Sequence, residues 1–369
     1  RRPPRSTLFP YTTLFRSGVI NMRSGVLKGA RKIELEKRDN LIGRPGYILI
    51  DVLKAGICGS DIHYWESGAP AGLVMGHEFS GIVIDNGGSK KFKEGDRVTG
   101  LPISPCLECE ECKRGEVQIC RNTWTHAVGL SLDFPGAFGG RILVREDMVR
   151  LLPDNVTFES GAMVEPAAVG LRAADLANVK KGDKCLVIGG GIIGLLTAEF
   201  LKLKGASYVA LTETNELRGK KSVKLGAADE YFNALDPKLM EKLYAKTNNN
   251  GFDIVCDCCG NSAALTSGII FTKPNGNLIL VGISLNNVSI PLVAGVMKEI
   301  NIKGSIAYKR EEFDAVIDLL AKKRINLEKY IDDITTLDDL QASFERLTSG
   351  QDDAVKILID PNKHKIVEL

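Results

Sequence analysis

Short runs of β-branched and apolar residues, separated by turns, mark the first half of the chain. Lys32 to Glu36 and Ile48 to Ala55 read as strands with Arg44-Pro45-Gly46 as the turn between them, and Phe79 to Asp85 reads as a third strand closed by Gly87-Gly88. Gly95-Asp96-Arg97-Val98 leads through another strand, Ile142 to Val144 forms one more, and Leu152-Pro153-Asp154 marks a turn. This pattern predicts an all-β, turn-rich first half. From Phe158 the rhythm changes, with Phe158 to Gly170 beginning a helix. Lys184 to Ile188 is the continuous apolar run of a buried parallel strand, and Leu195 to Leu203 carries its apolar positions on one helical face. Tyr208 to Leu211 (strand), Phe252 to Cys256 (strand), Ser262 to Ile269 (helix) and Asn277 to Val281 (strand) continue the alternation, which predicts a doubly wound parallel sheet. Two helical runs, near Phe313 to Lys322 and Leu337 to Leu347, and a strand at Val355 to Leu358 complete the chain.

Composition bounds this α/β reading without changing it. A chain of 369 residues with 44% hydrophobic and 25% charged positions can bury the core of two domains. No apolar run reaches membrane-spanning length, since Ile270 to Ile283 is broken by Lys273, Pro274, Asn275 and Gly276. The first 17 residues hold four arginines and no acid, and Thr7 to Ser17 looks like a translated sequencing adapter. The expectation is a native start near Met22, with Arg1 to Asn21 disordered and dispensable; a truncation at Met22 that lost activity or stability would overturn it. The net charge is +2 with these residues and −2 without them, so no nucleic-acid partner is expected. Nine cysteines are grouped rather than scattered, four within Cys106 to Cys120 and three within Cys256 to Cys259. Disulfide frameworks belong to small secreted chains that lack a core, so reduced thiols in a cytoplasmic protein are expected.

One glycine-rich stretch follows a strand and opens a helix: Gly189-Gly190-Gly191-Ile192-Ile193-Gly194. There, Gly189, Gly191 and Gly194 would permit a tight turn, close approach to a pyrophosphate and close helix packing, with Ile192 and Ile193 at the helix N-terminus that faces the phosphates. Glu213 ends the next strand 19 residues beyond Gly194, where a carboxylate would bind the adenine-ribose hydroxyls of NAD and repel the extra phosphate of NADP. The nearby cations Arg218 and Lys220 would partly offset that repulsion. Arg218 and the Val281-Gly282-Ile283 turn are further cofactor-binding candidates.

Metal chemistry is offered at two places. Within Gly56 to Glu78, Cys58, His77 and Glu78 supply a thiolate, an imidazole and a carboxylate, the ligand types zinc accepts at a site with a position left for substrate. Ser60, Asp61 and His63 lie between them as candidates for proton transfer and ligand support. Taken alone, the Cys58 and His77 pair also fits a buried thiol and a core histidine. Cys106, Cys109, Cys112 and Cys120 have the spacing of a closed, structural four-cysteine zinc site. Glu165 stands in an apolar helical run, where a carboxylate is costly unless paired, bound to metal or facing the helix dipole. Cys256, Cys258 and Cys259 have no histidine nearby and read as buried or loop thiols. His126 and His364 are assigned no role.

The stretch CGSDIHYW from Cys58, the Gly76-His77-Glu78 triplet, the four-cysteine lobe, MVEPAAV around Glu165 and the glycine loop occur together in one order. That order closely resembles the zinc-dependent medium-chain alcohol dehydrogenases, and CGSDIHYW most resembles their sorbitol (polyol) dehydrogenase branch. The resemblance implies a GroES-like, mainly β catalytic domain over 22–165 with a structural-zinc lobe at 104–121. It also implies an inserted Rossmann NAD-binding domain over 166–304 and a return to the catalytic domain over 305–369. It further implies oxidation of a secondary alcohol, either a polyol or a vicinal diol, to the ketone with NAD as hydride acceptor. Cys58, His77, Glu78 and Glu165 would form the catalytic zinc environment, with either carboxylate as the direct ligand. Asp61 would orient His77, Ser60 would take the substrate proton, and His63 would release it to water. A homodimer or homotetramer is implied as well. Polyol dehydrogenases carry an arginine where Ala307 stands, and Ile306-Ala307-Tyr308 looks more like butanediol dehydrogenases. A threonine dehydrogenase, whose relay position usually holds Thr rather than Ser60, and a zinc and dinucleotide binder without turnover are the other readings.

Overall fold

The computed structural model describes residues 22–363. The leader expectation for Arg1 to Asn21 and the position of His364 lie outside the described residues. Strands β1 (Met22–Gly29) and β2 (Lys32–Arg38) form an antiparallel hairpin. Next come β3 (Tyr47–Gly56), β4 (Glu78–Asp85), β5 (Arg97–Gly100), β6 (Arg141–Arg145) and β7 (Val149–Leu151). The parallel run is β8 (Lys184–Ile188), β9 (Tyr208–Glu213), β10 (Glu230–Asn233), β11 (Phe252–Asp257), β12 (Thr272–Leu280) and β13 (Asn301–Gly304), and β14 (Asp333–Thr336) and β15 (Ile357–Asp360) close the chain.

The second sheet has the order β10-β9-β8-β11-β12-β13, all parallel. This is the doubly wound order that reverses direction next to β8, and the crevice at that reversal is where such sheets bind dinucleotides. Alternate residues of its strands enter different cores. Cys185 and Val187 join one hydrophobic cluster while Leu186 and Ile188 join another, so both faces of the sheet are covered. That burial explains the unbroken apolar run at Lys184 to Ile188.

The other sheet has seven strands, with the path β14-β15-β3-β4-β5-β7 and β6 beside β3. Its strands come from before and after the parallel run, so the C-terminal segment returns to the first half of the chain. Apolar side chains such as Ile48, Ile50, Phe79, Val98 and Ile142 are fully buried there.

Two expectations about elements are corrected. Gly59–Ser67 is a helix, so the first half is not all β. Asp61 sits in its first turn and accepts a hydrogen bond from Cys58 N at 2.9 Å, a local cap that short strand-like patterning does not reveal. The helix expected from Phe158 to Gly170 is two helices, Phe158–Ala162 and Val164–Ala177, broken at Met163. Pro166 explains the break: it lacks the N–H that would continue the first helix but is tolerated in the first turn of the second. Strands β10, β13 and β14 and the helices Glu216–Lys224 and Leu239–Lys246 were not anticipated.

Candidate active site

Two segments bring Cys58, His77 and Glu78 together. Strand β3 delivers Cys58 to the N-terminus of the helix Gly59–Ser67. Gly76 adopts φ 97°, and a Cβ there would lie 3.0 Å from Phe138 N, so only glycine lets the chain turn His77 and Glu78 into β4. The ligand atoms of Cys58, His77 and Glu78 lie within 4.8 Å of one another, with His77 and Glu78 buried. Ser60 Oγ is 3.4 Å from His77 Nε2, and His63 is exposed on the outside of the same helix.

The site has the electrostatics of a cation site. Asp61, fully buried, places Oδ1 3.3 Å from His77 Nδ1. The two atoms are not aligned for a hydrogen bond, and neither has another partner. Glu78 Oε1 is likewise buried and unpartnered. Burial alone would keep His77 neutral, but the charges of Asp61 and Cys58 outweigh it and hold the imidazole's proton affinity well above the ordinary value. Three acceptor groups around one imidazole therefore fit a bound zinc, held by a thiolate, an imidazole and a carboxylate with a position left open.

Glu165 stands beside this cluster rather than in it. Its Oε1 accepts a hydrogen bond from the buried Tyr308 hydroxyl at 2.8 Å. Burial pushes Glu165 up to about 7 against the pull of His77; Glu78 adds to the rise and the Tyr308 hydroxyl opposes it. Tyr308 reaches this position from Ala307, which holds a left-handed backbone at φ 44°. Such a conformation costs alanine on the order of 1 kcal/mol.

Sequence reasoning missed Lys356. Its side chain is fully buried, and Nζ donates to Glu78 Oε2 at 2.6 Å and to the Ile57 carbonyl at 2.8 Å. An unpaired carboxylate here would cost roughly 3–5 kcal/mol. The lysine is 278 residues from Glu78 and has no motif around it, so only the return of the C-terminal segment brings the two together.

The four cysteines of the lobe also come together. Sγ atoms of Cys106, Cys109, Cys112 and Cys120 lie within 4.8 Å of one another, and the backbone N–H groups of Cys106, Cys109 and Asn122 point at cysteine sulfurs. No side-chain position is left open, as a structural zinc requires. By contrast, Cys256 is buried and Cys259 lies beside Ile188, and among the described residues these cysteines join no cluster of metal-ligating side chains. His126 sits at the surface, 3.2 Å from Asp133.

The dinucleotide candidates gather at the carboxyl ends of the parallel strands. Gly189 adopts φ 106°, and a Cβ on Gly194 would lie 1.9 Å from the Gly189 carbonyl, so both must be glycine for the loop to close onto the helix Ile192–Leu203. Gly191 caps that helix, with Ile192 and Ile193 in its first turn. Glu213 Oε2 accepts from Gly190 N at 2.6 Å and Oε1 from Thr214 N and Asn215 N, which fixes its carboxylate at the loop. Arg218 donates to the Leu347 carbonyl, while Val281 N and Gly282 N both donate to the Asp257 carbonyl and leave Ile283 exposed at the crevice. The helix N-terminus and the glycine cradle fit a bound NAD.

Comparison with known proteins agrees with this geometry. The profile of the alcohol dehydrogenase GroES-like domain matches residues 44–154, and that of the zinc-binding dehydrogenases matches residues 193–322. The chain is 30% identical to a sorbitol dehydrogenase of Bacillus subtilis, over 93% of this chain and 98% of that one. It is 29% identical to D-xylulose reductase A of Aspergillus oryzae, over 91% of this chain and 96% of the relative. The crystal structure of 2R,3R-butanediol dehydrogenase from Bacillus subtilis superposes with a TM-score of 0.83 at 30% identity, covering 92% of this chain and all of that one. With its two cysteine-bearing clusters that fit zinc and its doubly wound parallel sheet, the chain belongs to the zinc-dependent medium-chain alcohol dehydrogenases, in their sorbitol (polyol) dehydrogenase branch.

Proposed function

We propose that this NAD-dependent alcohol dehydrogenase takes small vicinal diols in preference to long sugar alcohols. The observation that carries the preference is Tyr308, hydrogen-bonded to Glu165 with Ala307 just before it in the chain. Alanine presents no group that could reach the distal hydroxyls of a long polyol, and Tyr308 spends its hydroxyl on Glu165. The combination Ile306-Ala307-Tyr308 was the reason to expect a butanediol dehydrogenase-like site, and one solved relative is named for 2R,3R-butanediol.

When bound, zinc supplies the Lewis acid that acidifies the substrate hydroxyl, and NAD supplies the hydride acceptor. The chain's own residues do the rest. Cys58, His77 and Glu78 hold the metal, and Asp61 steadies His77 and thereby the direction of its ligand nitrogen. Ser60, within reach of the His77 ring, takes the substrate proton, and His63 passes it to water from its exposed position. Glu165, held by the Tyr308 hydroxyl, closes one side of the pocket and orients the second hydroxyl of a diol. Glu213 receives the adenine ribose and favours NAD over NADP. The division into 22–165, 166–304 and 305–369 belongs to this reading, supported by one sheet built from β3–β7 with β14–β15 and another from β8–β13.

Among the described residues no helix is long and apolar enough to cross a membrane. We place the enzyme in the cytoplasm, where its unpaired cysteines would stay reduced. We also propose a homodimer, or a tetramer built from it. Strand β13 is an exposed sheet edge, and beside it Val293 and Met297 are 75% and 80% exposed. A second copy pairing along β13 would cover both the edge and the apolar residues.

The test is NADH formation with 2,3-butanediol, xylitol, sorbitol and threonine in parallel, and NADP beside NAD. The diol should give the highest kcat/KM and NAD the faster turnover. Preference for sorbitol or threonine would overturn the substrate reading, and preference for NADP the role of Glu213.

A further inference from the structure

The mechanism above uses Glu78 only as a ligand, yet the structure gives its two oxygens different surroundings. Oε1 is buried and has no protein partner, and a Glu78 carboxylate oxygen lies within 4.8 Å of the Cys58 and His77 ligand atoms. Oε2 is held 2.6 Å from Lys356 Nζ, and the same ammonium donates to the Ile57 carbonyl. Space for this arrangement is made by Gly56, where a Cβ would lie 2.0 Å from Oε2. Lys356 is not on a free loop. Its N–H donates to Asp332 Oδ2 at 3.0 Å and its carbonyl accepts from Asp332 N at 2.8 Å, which fixes the point from which its stem enters the core.

We propose that Lys356 is a positioning residue that keeps Glu78 a one-oxygen, releasable ligand of the catalytic metal. The inference rests on reading Cys58, His77 and Glu78 as that metal's ligands. A carboxylate shared between an ammonium and a metal has less negative charge to give the metal, and only one of its oxygens is free to turn toward it. Without the ammonium, Oε2 and the Ile57 carbonyl are two acceptors with no donor between them. Repulsion then drives the carboxylate toward the metal, where its second oxygen takes the place that the substrate hydroxyl needs. Lys356 thus works through Glu78 and touches no substrate.

Two variants separate charge from packing. Lys356→Gln removes the charge and is one atom shorter, so its amide falls short of spanning Oε2 and the Ile57 carbonyl, and Lys356→Arg keeps the charge. The zinc-loaded Lys356→Gln protein should release its catalytic zinc to a chelator about tenfold more slowly than wild type. Its cobalt-substituted form should show weaker visible bands, as higher coordination produces, together with a fall in kcat. Lys356→Arg should restore the wild-type cobalt spectrum. Unchanged zinc release and an unchanged cobalt spectrum in Lys356→Gln would overturn the proposal while leaving the ligand assignment intact. Wild-type protein that binds only one zinc per chain would overturn the ligand assignment and the proposal with it. A structure of the zinc-loaded wild type, which depends on no variant, gives a second test. Glu78 bound through Oε1 with Lys356 on Oε2 supports the proposal, and a carboxylate bound through both oxygens or released from Lys356 refutes it.

Discussion

Residue by residue, the site mixes groups with motifs and groups without. Cys58, His77 and Glu78 were readable because their ligand chemistry sits in one short stretch. Their supports divide differently. Asp61 was within the same stretch and could be named, whereas Lys356 and the Tyr308 contact to Glu165 depend on chain segments brought together only by folding. Asp61→Ala should lower zinc affinity by about 10–100-fold, because His77 loses the group that sets its ring orientation. Competition with a chelator would measure this, and wild-type affinity would remove Asp61 from the site. Glu165 makes a pH prediction for the zinc-stripped protein. Burial raises its folded pKa from the ordinary 4.5 to about 7, so the folded state holds a proton that the unfolded state gives up. The resulting stability is present below pH 4.5 and is lost as pH rises through 7. Melting temperatures of stripped wild type and Glu165→Gln should therefore draw apart over that interval, with wild type losing ground as pH rises. Parallel curves would contradict the burial argument.

At the scale of elements, periodicity found what it is suited to find. Strand β8, buried on both faces, showed as an unbroken apolar run, and the glycine loop after it marked the turn into a helix. The helix Gly59–Ser67 was missed because it carries Ser60, Asp61 and His63 on a short, mostly polar stretch, held by a local cap and by the single fully buried apolar side chain Trp65. Strand β13 was missed because all four of its residues are exposed, which leaves no alternation to read. The cysteine lobe lies at the other extreme, since its spacing alone set the expectation and the fold brings the four sulfurs together. Cys109→Ser should reduce bound zinc from two to one per chain and lower the melting temperature, while Cys58 and His77 keep the other ion. Metal analysis after gel filtration checks this, and retention of both ions would remove the lobe as a zinc site.

For the whole molecule, the parallel sheet supplies a crevice that fits a dinucleotide, and the mixed sheet carries the proposed metal ligands. The returning C-terminal segment adds Lys356 beneath them. The exposed β13 edge predicts self-association. Val293→Asp with Met297→Asp should shift the protein to monomer in sedimentation experiments with little change in zinc content, and an unchanged assembly would place the interface elsewhere. The central claim is that a metal held by Cys58, His77 and Glu78 makes this chain a diol dehydrogenase. Its most direct test is NADH formation from 2,3-butanediol by the zinc-loaded protein, after chelation, and after zinc is returned. The account predicts turnover that chelation abolishes and zinc restores. Turnover that persists after the zinc is gone would contradict it.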